Sequence, residues 1–194
     1  MPKMEFELNP VEFITIGTVG PKGQRIFHLQ AGSKTDIVTL TIEKEQASAL
    51  SEAIRELLQD LDRRFPPKTE TPTGENMNME LREPIDPKFR VARMGLGYDE
   101  DRDMVVLVAQ ELLVSTSSAV LAEEEDEEAD DAFDPFDELF STDDEGSDDG
   151  DEPGIVRLWC NREQMRALST HSMNTVQSGR PDPKLNGRLV YYWT

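Results

Sequence analysis

The stretch Val38-Thr39-Leu40-Thr41-Ile42-Glu43-Lys44-Glu45-Gln46-Ala47-Ser48-Ala49-Leu50-Ser51 recurs 118 positions further on as Val156-Arg157-Leu158-Trp159-Cys160-Asn161-Arg162-Glu163-Gln164-Met165-Arg166-Ala167-Leu168-Ser169. Seven of the fourteen aligned positions are identical without a gap, and Lys44 aligns with Arg162. Each copy opens with apolar residues in alternation (Val38, Leu40, Ile42; Val156, Leu158, Cys160) and then changes to helical spacing. That is how a strand running into an amphipathic helix reads, so the chain is expected to contain an internal duplication.

Upstream of the first copy, residues 11–19 and 25–31 are rich in β-branched and aromatic side chains, and Gly20-Pro21-Lys22-Gly23-Gln24 separates them. This is a hairpin signal. A second turn, Gly32-Ser33-Lys34-Thr35, leads into a strand at 36–42, and the helix after it carries Ala47, Leu50, Ile54, Leu57, Leu58 and Leu61 on one side. Past Arg64, the residues Pro66, Pro67, Pro72, Gly74, Pro84 and Pro87 stop the helix and predict an irregular crossover. The order then restarts: a strand at 89–96, a turn at Gly97-Tyr98-Asp99-Glu100-Asp101, an apolar strand at 104–113 expected in the centre of the sheet, and a strand at 154–160. The second helix opens at Asn161, a good N-cap with Gln164 three residues on, and Gly179 and Pro181 end it.

The expected fold is α+β, a two-layer α/β sandwich in which βββα occurs twice, with a largely antiparallel sheet and two helices packed on one face. Its first unit covers 1–64, the Pro-rich crossover 65–88 and the second unit 89–181, with an insertion at 122–153 and a tail at 182–194. All of it fits one compact domain.

The net charge of -20 is unevenly spread. Residues 123–152 hold 18 of the 40 acids and no Lys or Arg, which leaves 22 acids against 20 bases elsewhere. The rest of the chain lacks the concentrated positive charge on which nucleic acid and anionic membrane surfaces rely, so neither is an expected partner. The acidic run falls between the second and third strands of the second unit, where the first unit has only the Gly32 to Thr35 turn. A long insertion at a hairpin tip costs little, and self-repulsion with few apolar residues predicts disorder there. Within it, Phe133, Phe136, Leu139 and Phe140 form an apolar stripe if Asp134 caps a short helix. That segment suits a protein partner's groove or a place on the chain's own sheet.

Cys160 is alone, which rules out an intramolecular disulfide or a thiolate cluster and fits a reducing cytoplasm. The first residues lack the apolar core of a signal peptide, and the run 104–109 is too short to span a bilayer.

The segments Gly23-Gln24-Arg25-Ile26-Phe27-His28-Leu29-Gln30-Ala31, Glu43-Lys44-Glu45-Gln46, Phe89-Arg90-Val91 and Gly95-Leu96-Gly97-Tyr98-Asp99-Glu100-Asp101-Arg102-Asp103 resemble the uncharacterised DUF3090 family, found in Actinobacteria and Chloroflexi. The resemblance covers nearly all of the chain outside the acidic run. The family has no assigned activity, and its usual gene neighbours, a histidine-phosphatase-like and a phosphoinositide-kinase-like protein, imply a phosphoryl-related pathway. Many relatives end in Gly-Arg-Pro-Pro-Cys-Pro-Leu-Cys-Gly, followed by a His and a further Cys, which resembles a zinc knuckle. Here Pro183 and Asn186 stand where the thiolates would be, so no metal is expected. No other cofactor is implied, and the apolar Leu189, Val190, Tyr191, Tyr192 and Trp193 are expected to add a strand, pack on the body or contact a partner.

Candidate site residues are few. Gly95-Leu96-Gly97 does not open a helix, and Asp99, Glu100, Asp101 and Asp103 would repel phosphate; they suit a cation better, but without EF-hand spacing. A plain hairpin turn with Arg102 neutralising its neighbours accounts for the cluster. His28 and His171 lie on different elements with no nucleophile motif beside them. Glu45 and Glu163 open helices, where Glu suits the dipole, and Gln46 and Gln164 can reach back to the cap.

Three functions follow. The first is a non-enzymatic interaction module that presents the acidic arm. The second is an enzyme or small-ligand binder with a site between the repeats, drawing on Tyr98, Asp99, Arg102, Arg25 and His28 and brought together by a pseudo-two-fold axis. The third is a nucleic-acid mimic, which requires ordered charge spacing. Oligomeric state is not legible in the residues.

Overall fold

The computed structural model describes residues 5–21, 23–34, 36–66, 77–113 and 152–178. In chain order the elements are β1 (Glu5–Leu8), β2 (Phe13–Val19), β3 (Ile26–Gly32), β4 (Ile37–Ile42), α1 (Lys44–Arg64), β5 (Pro87–Asp99), β6 (Met104–Glu111), β7 (Ile155–Cys160) and α2 (Arg162–Ser178). The fold is α+β, and βββα does occur twice in that order. β4 and β7 begin and end 118 positions apart, and so do the first residues of α1 and α2.

The sheet corrects the expectation of a largely antiparallel layer. It is mixed, with seven strands in the order β1-β7-β6-β5-β4-β3-β2. Two antiparallel meanders, β2-β3-β4 and β5-β6-β7, are joined by a parallel β4–β5 pair, and β1 runs parallel to β7. The β4–β5 pair is parallel because α1 and the residues after it carry the chain back before β5 begins. β5, not β6, is the middle strand; it pairs with β4 up to Arg90 and with β6 beyond, with a register shift between Val91 and Arg93. It also runs through Gly97, Tyr98 and Asp99, so the turn falls at residues 100–103.

β1 is the strand the sequence does not announce. Four residues are too few to establish a period, yet Phe6 and Leu8 turn inward while Glu5 pairs with Arg157 and Glu7 accepts from Trp159 Nε1 at 2.8 Å. β1 and β2 are opposite ends of the sheet order but are joined by residues 9–12 alone. Seven flat strands would hold the edges roughly 29 Å apart, whereas five Cα steps reach at most about 19 Å. The sheet must therefore curl until its edges approach. The linker records this: Val11 N donates to Trp159 O at 2.9 Å, beside one edge, and Glu12 N to Gly32 O at 2.8 Å, beside the other.

Every strand sends alternate residues into one core that also receives Ala47, Leu50, Ile54, Leu58 and Leu61 of α1 and Met165, Leu168 and Val176 of α2. The other face of the first meander is roofed by residues 77–86. Thr15 Oγ1 donates to Met79 O, and the fully buried Gln30 amide exchanges two bonds with the Arg82 backbone, at 2.7 and 2.8 Å. Gly17 leaves room for Leu81 here, because a Cβ would lie 2.5 Å from Leu81 Cγ and would force that side chain to shift.

The helices run antiparallel. Asp62 near the end of α1 meets Arg162 and Arg166 at the start of α2, and Ser172 Oγ donates to Ala47 O at the other end. Midway, Ser51 Oγ donates to Ser169 O and Ser169 Oγ to Ser51 O, both at 2.8 Å, between residues 118 apart. No helix among the described residues is long and apolar enough to cross a membrane.

Candidate functional site

Equivalent glutamines tie the two meanders together. Gln46 Oε1 accepts from Glu43 N at 2.8 Å, and Gln164 Oε1 from Asn161 N at 2.9 Å, each closing the first turn of its helix. The expectation that these side chains reach back to the cap holds. The other end of each amide crosses to the opposite unit: Gln46 Nε2 donates to Val91 O at 3.1 Å and Gln164 Nε2 to Val11 O at 3.0 Å. The recurring Gln is thus explained by capping and by cross-unit bonding, and the Glu before it falls in the first turn of each helix, where it suits the dipole.

The densest polar cluster forms where the β5–β6 turn meets both helices. Asp103 adopts φ 51°, left-handed backbone that Asp tolerates better than bulkier residues, and this turns its carboxylate back over the strand ends. It accepts from Tyr98 Oη at 2.7 Å and from Arg162 Nε at 2.6 Å; Arg162 donates further to Tyr98 Oη at 2.9 Å and to Asp62 Oδ1 at 3.3 Å. Arg162 is only 6% exposed and sits at the first position of α2, the end of a helix that disfavours a cation. Burial works against its charge, but the bonds to Asp103 and Tyr98 outweigh that and leave its pKa raised. Burial, followed by the Asp103 bond, raises the Tyr98 phenol, which stays neutral at neutral pH. The guanidinium uses all three nitrogens on this chain's own acceptors. As arranged, the cluster clamps the turn to the helices and offers neither a free anion-binding fork nor a phenolate.

The residues singled out from the sequence separate. Tyr98 belongs to that cluster. Asp99 accepts from the Arg102 backbone N at 3.1 Å within the turn. The Arg102 side chain donates to Asn9 Oδ1 at 2.5 Å and lies over the Trp159 ring. Arg25 precedes β3, and His28 lies on β3 in the other meander, buried beside the roofed face. No described hydrogen bond or ion pair joins Arg25 or His28 to the Tyr98 turn, and none of the five lines either of the two described grooves.

Burial lowers the pKa of His28, opposed by a bond to the Leu40 backbone, and lowers that of His171, opposed by a bond to the Ile16 backbone. Burial raises the Cys160 thiol far above its usual range, which makes it unreactive. Among the described residues no three of His, Cys, Asp and Glu gather as metal ligands. Phe133, Phe136, Leu139 and Phe140, the acidic run up to residue 151 and the thiolate-replacing Pro183 and Asn186 lie outside the described residues.

Arg162 is the site residue that sequence reasoning passed over. The available signal was a basic residue directly after an Asn N-cap, against the helix dipole.

The observed order of elements accommodates the Gly95 to Asp103 block and the Glu43 to Gln46 block in one body. A family model described as a protein of unknown function matches residues 6–188. The chain belongs to the DUF3090 family. No curated protein and no solved structure matches it. Nearly the whole DUF3090 match, apart from the residues outside the description, is accounted for by the curled sheet and its two helices.

Proposed function

We propose that this DUF3090 member is a non-enzymatic protein-interaction module of the cytoplasm that offers the acidic residues 122–153 to a basic partner. The observation that carries this is the neck of the insertion. Glu111 N donates to Gly154 O at 2.8 Å and Gly154 N to Glu111 Oε2 at 2.9 Å, so the chain leaves and re-enters the sheet at one point. Between these anchors lies a run with 18 acids and no bases, on a body otherwise near neutrality. Such an arm attracts a basic surface without disturbing the core. The test is capture of partners by the full chain and by a chain with 122–153 replaced by a short Gly-Ser linker. Partners lost with the arm, and released as salt rises, support the reading; the same partners retained in both would refute it.

The alternative, a small-ligand binder in a phosphoryl-related pathway, has one observation in its favour. A groove of about 350 Å³ lies along the α1–α2 seam between the units, lined by Ser51, Arg55, Asp62, Arg166 and Ser169 among others. Thermal shift with inorganic phosphate and ATP tests it: a shift lost in Arg166→Ala supports a ligand, and no shift removes it.

We also infer that the two units descend from one duplicated unit, which the 118-residue offset, the reciprocal Ser51–Ser169 bonds and the cross-unit bonds made by Gln46 and by Gln164 support. A chain with residues 38–51 transplanted over 156–169 should still unfold cooperatively; loss of the fold would count against equivalence.

A further inference from the structure

Residues 77–86 cross the outer face of the first meander as an irregular strap, and none of them is buried: Met77, Met79, Leu81 and Ile85 are half-buried and the rest are exposed. The sheet holds this strap largely by its backbone. Thr15 Oγ1 donates to Met79 O, while Gln30 Nε2 donates to Arg82 O at 2.8 Å and Gln30 Oε1 accepts from Arg82 N at 2.7 Å, the two bonds that a paired strand residue would supply. Two side chains are seated as well. Leu81 lies over Gly17, where no Cβ stands in its way, and the Arg82 guanidinium is 3.6 Å from the centre of the Phe13 ring. Backbone bonds for affinity and side-chain seats for specificity are the terms on which extended peptides are recognised.

The sheet does not need this polar face for itself. Thr15, Gln30 and Thr39 form one row across β2, β3 and β4, and the row at the same place in the second meander is Gly95, Val108 and Arg157. The next row is Gly17, His28 and Thr41, against Gly97, Val106 and Trp159. Val106 and Val108 are buried like His28 and Gln30, so valine meets the demands of these positions. A buried amide or imidazole in its place carries a desolvation cost that only a polar occupant offsets. The strap does this for Gln30, whose Nε2 also donates to Thr39 Oγ1 at 3.0 Å. It does not do so for His28. The imidazole is 5% exposed and its Nδ1 has no hydrogen-bond partner among the described residues, so the strap is an incomplete match for its own seat.

We propose that this face of the first meander is a peptide-recognition site, that residues 79–82 occupy it in cis, and that an extended segment of a partner protein carrying an aliphatic residue followed by arginine replaces them. The inference is independent of the acidic arm. A labelled synthetic peptide of residues 77–86 tests it on the full chain and on the full chain with Leu81→Asp, a change at a half-buried position that unseats the strap from Gly17. The variant is expected to bind the peptide about ten-fold more tightly than the parent, whose site is open only in the fraction of molecules with the strap off. Thr15→Val added to the variant should weaken binding by about five-fold, the loss of one hydrogen bond. A peptide with Ala at the Leu81 and Arg82 positions should not compete. A folded Leu81→Asp chain that leaves the peptide unbound would overturn the proposal. So would a parent chain whose mass in light scattering doubles with concentration and falls back in Leu81→Asp, since a second copy's strap would then be the occupant. Hydrogen exchange on the unmodified chain decides the case even where the variant fails to fold: the Arg82 amide should exchange about ten-fold faster than the amides of β3, by opening of the strap alone. Exchange of Arg82 only together with β3 would overturn the proposal.

Discussion

Gln164 is the side chain on which the junction of the two units most depends. It is 7% exposed, its Oε1 closes the first turn of α2, and its Nε2 is the donor to the carbonyl of Val11, a residue 4% exposed in the linker that draws the sheet edges together. Gln164→Ala removes the cap acceptor, which costs about 1 kcal/mol, and leaves a buried carbonyl without its donor, which costs about 1–3 kcal/mol. The expected loss is therefore about 2–4 kcal/mol. Gln164→Glu separates the two effects, because a carboxylate still accepts from Asn161 N but cannot donate to Val11 O; about 2 kcal/mol should be lost from that end alone. Gln46→Ala removes the equivalent bonds at a half-buried site where water can replace the donor to Val91 and Ala92, and should cost about 1 kcal/mol. Urea denaturation followed by tryptophan fluorescence measures all three. If Gln164→Ala fell within about 0.5 kcal/mol of the parent, or Gln164→Glu matched it, the cross-unit bond would not be a determinant of stability.

Arg162→Met should cost about 2 kcal/mol by urea denaturation, below the range for a fully enclosed pair, because Asp103 and Asp62 are half exposed and regain water; combined with Asp103→Asn the losses should fall short of additive. Stability should fall as pH drops below about 6.5, since burial lowers the folded-state pKa of His28 and His171 and the unfolded chain takes up the protons first. The urea midpoint should be lower at pH 5.5 than at pH 7.5, and by less in His28→Leu, whose parent Nδ1 has no hydrogen-bond partner among the described residues; an unchanged difference would exclude His28 as a source. Gly17→Val should destabilise by about 1–3 kcal/mol by driving its side chain into Leu81, and Leu81→Ala should recover part of that.

The repeated element order, both helices and their glutamine caps were legible because a strand and an amphipathic helix each write their own period into neighbouring residues. Asn161 and Gln164 could be paired by spacing alone, and their two bonds confirm it. The turn at 100–103 was misplaced by a few residues because Gly97 read as a breaker, whereas it occupies the strand that joins one meander to the other.

What the residues alone determined, then, was local: which stretches become strand or helix, where the helices start, and that the negative charge is gathered in one run. Tertiary structure alone decided the parallel β4–β5 and β1–β7 pairs, the curl imposed by residues 9–12, the burial of Arg162 among Tyr98, Asp103 and Asp62, and the separation of Tyr98 from His28. Each of these depends on contacts between residues tens to more than a hundred positions apart, and no local period encodes which distant backbone a strand edge or a guanidinium will meet.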